Sequence, residues 1–294
     1  MIKSPSELEQ SYIEYKNLNI FEFKKKLDSG YLNVNPVYIE LSDHITNNVI
    51  DNIILTTYLT SKNDPQKNPN DKNAYVKVDD YNYMKPWYDS MIQLNIYGII
   101  FHDMLSDEFI KKYETDKIKF IKVHIGKYSL NDERFYIYYD FLLRNKYKNV
   151  FMTDIRDVYI KHDPSNLMVE YEKYTLFVGS DEENMIIKDS SYMISKIKNF
   201  NTKHPTPIPC DLYHMKTYNC GIIGGNYFTV LYLLCHMTNI MTKLDNNLNN
   251  NMIVLNYIVF LYFTKNNINV FTGHPLNSRF KKYEFGSSAC FIHK

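Results

Sequence analysis

Between residues 52 and 153, short apolar, β-branched runs alternate with amphipathic helical patterns, and this alternation leaves few folds open. The runs NIILTTYL at 52–59, YGIIF at 97–101, IKFIKV at 118–123 and the one beginning NVFMT at 149 read as strands. Patterns at 84–94, near 106–113 and at 132–147 read as helices. Strand and helix in alternation require right-handed crossovers, so the expected class is α/β, with a mostly parallel central sheet and helices on both faces. In such sheets ligands sit outside the carboxyl ends of the strands. After Pro164 the order loosens: a strand at 174–178, a polar stretch, a strand ending in NCGIIGG at 219–225, helical patterns at 226–244 and 250–263, and a short strand at 268–271.

The chain has 294 residues, 45% hydrophobic and 23% charged, enough to bury a sizeable core as a soluble globular protein. Residues 1–48, helical in pattern over 4–30, are expected to form an appendage packed on the main domain at 49–294. A net charge of +1 provides no basic field, so no nucleic-acid partner is expected. Cys210, Cys220, Cys235 and Cys290 form no CxxC pair and read as reduced thiols. No apolar run reaches about 18 residues, and the start MIKSPSELEQ is unlike a signal peptide, so no membrane span and a cytoplasmic location are expected. Richness in Asn, Lys, Ile and Tyr is that of an AT-rich genome; for a large DNA virus the location would be host cytoplasm or virion.

The stretch NVFMTDIRDVYIKHDP at 149–164 drives two acids, Asp154 and Asp157, with Arg156 between them, to the end of an apolar strand. Charges there are costly unless paired. Three readings stay open on spacing alone: a general acid and base, a pair of oxygen ligands for a divalent cation, or a salt-bridged turn held by Arg156.

Taken together with the rest of the chain, these residues resemble the nucleotide-sugar glycosyltransferases of the GT-A fold, a Rossmann-like architecture. Asp154-Ile155-Arg156-Asp157-Val158 followed by Asp163-Pro164 looks like that family's acidic motif, with two intervening residues instead of one. The resemblance implies that Asp154 and Asp157 bind Mn²⁺ or Mg²⁺, which grips the donor's diphosphate. IILTTYLTSKNDPQ at 53–66 is similar to the family's first strand and loop, so Thr56, Thr57 and Tyr58 would hold the nucleotide. NDERF at 131–135 matches the helix before the motif, with Arg134 facing the diphosphate or donor sugar. NCGIIGG resembles an Asn-Ala-Gly-x-x-Gly-Gly element, placing Asn219, Gly224 and Gly225 near sugar and acceptor. The tail ending FIHK is like the family's carboxyl-terminal segment, which implies His293 as a third metal ligand and Lys294 against the diphosphate.

Two positions depart from the family pattern. Asp181 stands where Gly-Ser-Glu is usual, and is the candidate catalytic base; Asn251 replaces the acid of Asp-Met-x-x-x-Asn, and an amide takes no proton. The function expected is therefore transfer of a sugar from a nucleoside diphosphate sugar, UDP above all, to a glycan, protein or small-molecule acceptor, with a homodimer as a possible assembly. The rivals are a nucleotide-sugar-binding relative without catalysis and a sugar nucleotidyltransferase; the latter lacks its glycine-rich loop, since 57–67 contains no glycine. Arg156 is expected to pair with Asp154, and His102, His124 and His236 to be core residues.

Overall fold

The computed structural model describes residues 20–28, 50–68, 74–171, 173–181, 185–244 and 248–294. In chain order the elements are α1 (Ile20–Asp28), β1 (Asn52–Tyr58), α2 (Tyr81–Leu94), β2 (Gly98–His102), α3 (Asp107–Tyr113), β3 (Ile118–Lys122), α4 (Leu130–Arg144) and β4 (Asn149–Thr153). They continue as β5 (Val158–Ile160), α5 (Leu167–Glu170), β6 (Leu176–Ser180), α6 (Ser191–Lys203), β7 (Tyr218–Asn226), α7 (Tyr227–Met241), α8 (Asn251–Ile258), β8 (Val270–Phe271) and β9 (Phe291–His293).

Seven strands form one sheet in the order β3-β2-β1-β4-β7-β6-β8. All run one way except β7, which lies antiparallel between β4 and β6. The α/β class with a mostly parallel sheet is therefore observed, and one core lies on each face. Ile53, Leu55, Val150 and Met152 pack towards α4, α7 and α8 on one side. Ile54, Tyr58 and Phe151 pack towards Trp87 and Met91 of α2 on the other. The two-residue period of a strand divides neighbours between these cores.

The expected first half of the chain agrees with the observed elements to within a few residues. The segment read as a polar stretch after β6 contains α6. Ser190 caps it by accepting from Met193 N at 3.3 Å, and Met193, Ile197 and Phe200 bury one helical face. Of the amino-terminal appendage, α1 alone is described; Phe23 sets its ring edge-on against Tyr232 of α7, centroids 5.5 Å apart. Residues 1–19 and 29–48, the rest of that appendage, lie outside the described residues. Among the described residues no helix is long and apolar enough to cross a membrane.

Two three-residue strands, too short for any periodicity to reveal, decide the site. β5 and β9 pair antiparallel, Val158 opposite His293. Lys161 N donates to Cys290 O at 2.7 Å and Lys294 N to Asp157 O at 2.8 Å, so the far end of the chain runs beside the segment that follows β4.

Candidate metal centre and its cleft

Asp154 is the first residue beyond β4, where buried apolar side chains give way to the rim. Its backbone is held by β7: Asp154 N donates to Gly221 O at 3.0 Å. The preceding Thr153 is fixed from two sides, its carbonyl accepting from Thr56 Oγ1 and its hydroxyl from Trp87 Nε1, both at 2.8 Å. The short turn to β5 brings Asp157 round, and β9 delivers His293 from 136 residues further along the chain (293 − 157). One ligand atom from each of Asp154, Asp157 and His293 lies within 4.8 Å of the others. A single cation with bonds of about 2.0 to 2.6 Å spans that spacing, so the cluster can hold a metal ion.

The chemistry of the donor set fits such an ion. His293 is 1% exposed, and its Nδ1 has no hydrogen-bond partner among the described residues. Burial, then the nearby Arg134 and Lys281, hold its imidazole down to about 3, so it is neutral and its lone pair is available for a metal at physiological pH. Burial pushes the Asp157 carboxyl above the usual carboxylate range, against the pull of Arg134, Arg156 and Lys294. Two carboxylates and one imidazole are oxygen and nitrogen donors of the kind divalent cations take, and three protein ligands leave coordination positions for others.

Gly221 keeps the floor of the cluster open. A Cβ there would lie 2.7 Å from His293 Nε2 and 2.9 Å from Asp154 Oδ2. Arg134, one turn into α4, pairs with Asp154 Oδ1 and donates to Cys220 O at 3.3 Å. This corrects the expectation for Arg156, which is exposed and lines the cleft without bonding Asp154. The other acids of the NDERF segment are structural. Asp132 Oδ1 accepts from Asn251 N at 2.8 Å and Oδ2 from Asn250 N at 3.0 Å, capping α8 from a distance. Glu133 accepts from Tyr128 N at 3.0 Å and stands 3.8 Å from Lys62 Nζ, tying the loop after β1 to the site.

A cleft of about 280 Å³ opens above the cluster. Of the residues singled out from sequence, Thr57, Arg134, Asp154, Asp157, Asn219, Asn251 and His293 line it. Asn219 Oδ1 accepts from Gly221 N at 2.6 Å, and Asn251 Nδ2 donates to Asn131 O at 2.8 Å.

Six of those residues lie elsewhere. Thr56 and Tyr58 alternate to the opposite face of β1 from Thr57; the Tyr58 hydroxyl instead holds a loop through Lys77 O and Asp80 O at 2.8 and 3.0 Å. Gly224 and Gly225 sit opposite Phe151 and Val150. Because β7 runs antiparallel to β4, its Asn-Cys-Gly end meets the rim and its Gly-Gly end the opposite edge of the sheet. There Gly224 makes room for the Phe151 ring. Lys294 sets Nζ 5.4 Å above the Phe285 ring, outside the cleft lining. Asp181 lines a neighbouring cleft.

Sequence reading missed Asp64, Gln66, Tyr83 and Phe280, which also line the first cleft. Asp64 and Gln66 stand in the loop after the first strand, where an α/β fold places ligand contacts, and that position was the signal available. Phe280 packs its ring 4.4 Å from that of His293. No protein-family model matches the chain, and no curated protein does.

Proposed function

We propose that this chain is a metal-dependent glycosyltransferase of GT-A type, moving a sugar from a nucleoside diphosphate sugar, UDP being the nucleotide expected, to a glycan, protein or small-molecule acceptor. The observation that carries the reading is the convergence of Asp154, Asp157 and His293 at the carboxyl end of β4, beside a polar cleft that Arg134 also lines. An isolated salt-bridged turn would not recruit a buried neutral imidazole from the far end of the chain.

Asp154, Asp157 and His293 would hold Mn²⁺ or Mg²⁺, which when bound offsets the negative charge that develops on the departing diphosphate. Arg134 adds a fixed positive charge beside the same place. It is oriented by Asp154 and Cys220 O, so little ordering is left for the moment of reaction. Thr57, Asp64 and Gln66 line the side from which a nucleotide would be gripped. Asn219, its carbonyl oxygen engaged by Gly221 N, has its amide N–H groups to donate to a sugar hydroxyl.

The test is a melting curve with UDP, with and without Mn²⁺. Ligand that binds the folded state alone raises the melting temperature by mass action. UDP is expected to raise it only with metal, and Asp157→Ala to remove the rise. An equal rise without metal, or in the variant, would overturn the reading. Slow Mn²⁺-dependent release of UDP from a UDP-sugar separates a transferase from a relative that binds only.

A further inference from the structure

Between β8 and β9 the chain runs SRFKKYEF at 278–285, and Phe280 of that run lines the first cleft. Tyr283 and Phe285 are 60% and 50% exposed. Single apolar side chains are common on protein surfaces, but these two stand together among cations, and such a patch marks an interaction site. Lys281 sets Nζ 4.8 Å from the Phe280 ring centre, and Lys294 sets its own 5.4 Å from that of Phe285. Lys282 and Arg156 are exposed beside them. None of these four cations makes an ion pair among the described residues. The nearby acids are engaged elsewhere: Glu284 accepts from Arg279 Nε at 2.6 Å, and Asp157 belongs to the metal cluster. The patch therefore carries a surplus of positive charge around exposed rings.

Its shape is fixed before any partner arrives. Lys281 and Tyr283 both hold left-handed backbone, φ 60° and 52°, a conformation that such side chains seldom adopt and that gathers at functional sites. The Arg279–Glu284 pair ties the loop across itself, and Lys161 Nζ donates to Phe285 O at 2.8 Å. A loop held in this way loses little conformational freedom on docking. Phe285 also meets Tyr159 of β5 edge-on, centroids 6.4 Å apart, so the patch reaches from the loop to the neighbouring strand.

Two anionic partners fit that charge, a nucleic acid and a phospholipid surface. Bases bind a protein by stacking on open ring faces. Here Phe280 is already met by the His293 ring and by Lys281 Nζ, and Phe285 by Lys294 Nζ and Tyr159. A bilayer asks for no open face: aromatic rings settle at headgroup depth, and lysine stems lie along apolar surface while their ammonium groups reach phosphate. We infer that this loop docks the protein on an anionic phospholipid surface, with Tyr283 and Phe285 entering among the headgroups and Arg156, Lys281, Lys282 and Lys294 against their charges. The docking needs neither metal nor nucleotide, and it stands whether or not the chain transfers sugar.

The experiment sediments the full chain, in EDTA, with vesicles of phosphatidylcholine alone and of phosphatidylcholine mixed with phosphatidylserine. The protein binds the mixed vesicles, releases them in high salt, and leaves the neutral ones. Lys281→Ala combined with Lys282→Ala lowers the partition coefficient about tenfold or more, at about fivefold for each lysine. Tyr283→Ser, which leaves the charge unchanged, lowers it about threefold or more. On the mixed vesicles the emission of Phe285→Trp moves to shorter wavelength and is quenched by brominated acyl chains, whereas Trp87, fully buried, is unaffected in the wild type.

Absence of binding to the mixed vesicles, undiminished binding in the double lysine variant, or unmoved emission of Phe285→Trp overturns the inference. So does a single-stranded oligonucleotide that binds as tightly as the mixed vesicles and is indifferent to Tyr283→Ser, since that describes a general polyanion site. Vesicle binding without any binding of UDP leaves the docking surface standing and removes the function proposed above. Binding of UDP with metal but of no vesicle removes the docking surface alone.

Discussion

Gly221 has to be glycine because two of the ligand-bearing residues, His293 and Asp154, crowd the space its side chain would fill. Gly221→Ala is expected to leave the fold intact and weaken Mn²⁺ binding about tenfold or more, read by paramagnetic resonance of the free ion. Arg134 makes a subtler prediction. As a cation paired with Asp154 it competes with a bare metal, yet it favours a metal that arrives with a diphosphate. Arg134→Met should therefore tighten Mn²⁺ alone while weakening UDP in the presence of Mn²⁺, two opposite shifts that calorimetry separates. At this scale the acids and His293 were readable because a residue type suited to metal stood at a strand end or in a resembling tail. Which arginine would face Asp154 was not, since Arg156 is nearer in sequence and Arg134 nearer in space.

The reversed direction of β7 explains why one glycine-rich motif splits into two roles. Asn219, Cys220 and Gly221 line the cleft, whereas Gly224 lies against Phe151 on the far side of the strand's midpoint. Gly224→Ala is expected to cost about 1 to 3 kcal/mol of stability through overpacking, with metal binding retained in the folded fraction; denaturant unfolding at two Mn²⁺ concentrations checks both halves. β9 carries the converse expectation. Phe291, fully buried, fixes the strand that presents His293. Phe291→Ala should lose about 3 to 5 kcal/mol and metal affinity together, while His293→Ala loses metal affinity with a smaller change in stability. Four strands and three helices of the first half showed in the periodicity of the chain. β5 and β9 did not, because three residues carry no period and their pairing joins positions 135 apart (158 to 293).

Across the whole molecule, buried titratable groups make stability depend on pH away from the metal cluster. His236 on α7 stacks on Tyr262, centroids 3.9 Å apart, and burial holds its imidazole down to about 3. Burial likewise holds His102 down to about 4. Below the ordinary histidine value of about 6.5 the unfolded chain takes up protons that the folded one refuses, so stability falls with pH by about 1.4 kcal/mol per unit for each such group. Asp132 and Asp140, both raised to about 6 by burial, act in the other sense: the stability they contribute is present at low pH and lost as pH rises through that value. The wild-type curve mixes the two, and a difference isolates one. Between pH 7.5 and 5.5 the stability of His236→Phe should fall about 1.4 kcal/mol less than that of the wild type; an equal fall would show that His236 is not buried neutral. The sequence by itself determined the α/β class, the parallel half of the sheet and the acids at its rim, because those follow from local periodicity and from the rule that ligands gather at strand ends. The tertiary structure alone decided the reversal of β7, the docking of β9 beside β5 and the choice of Arg134, because each depends on contacts between distant segments, and no local pattern encodes the free energy of closing those long loops.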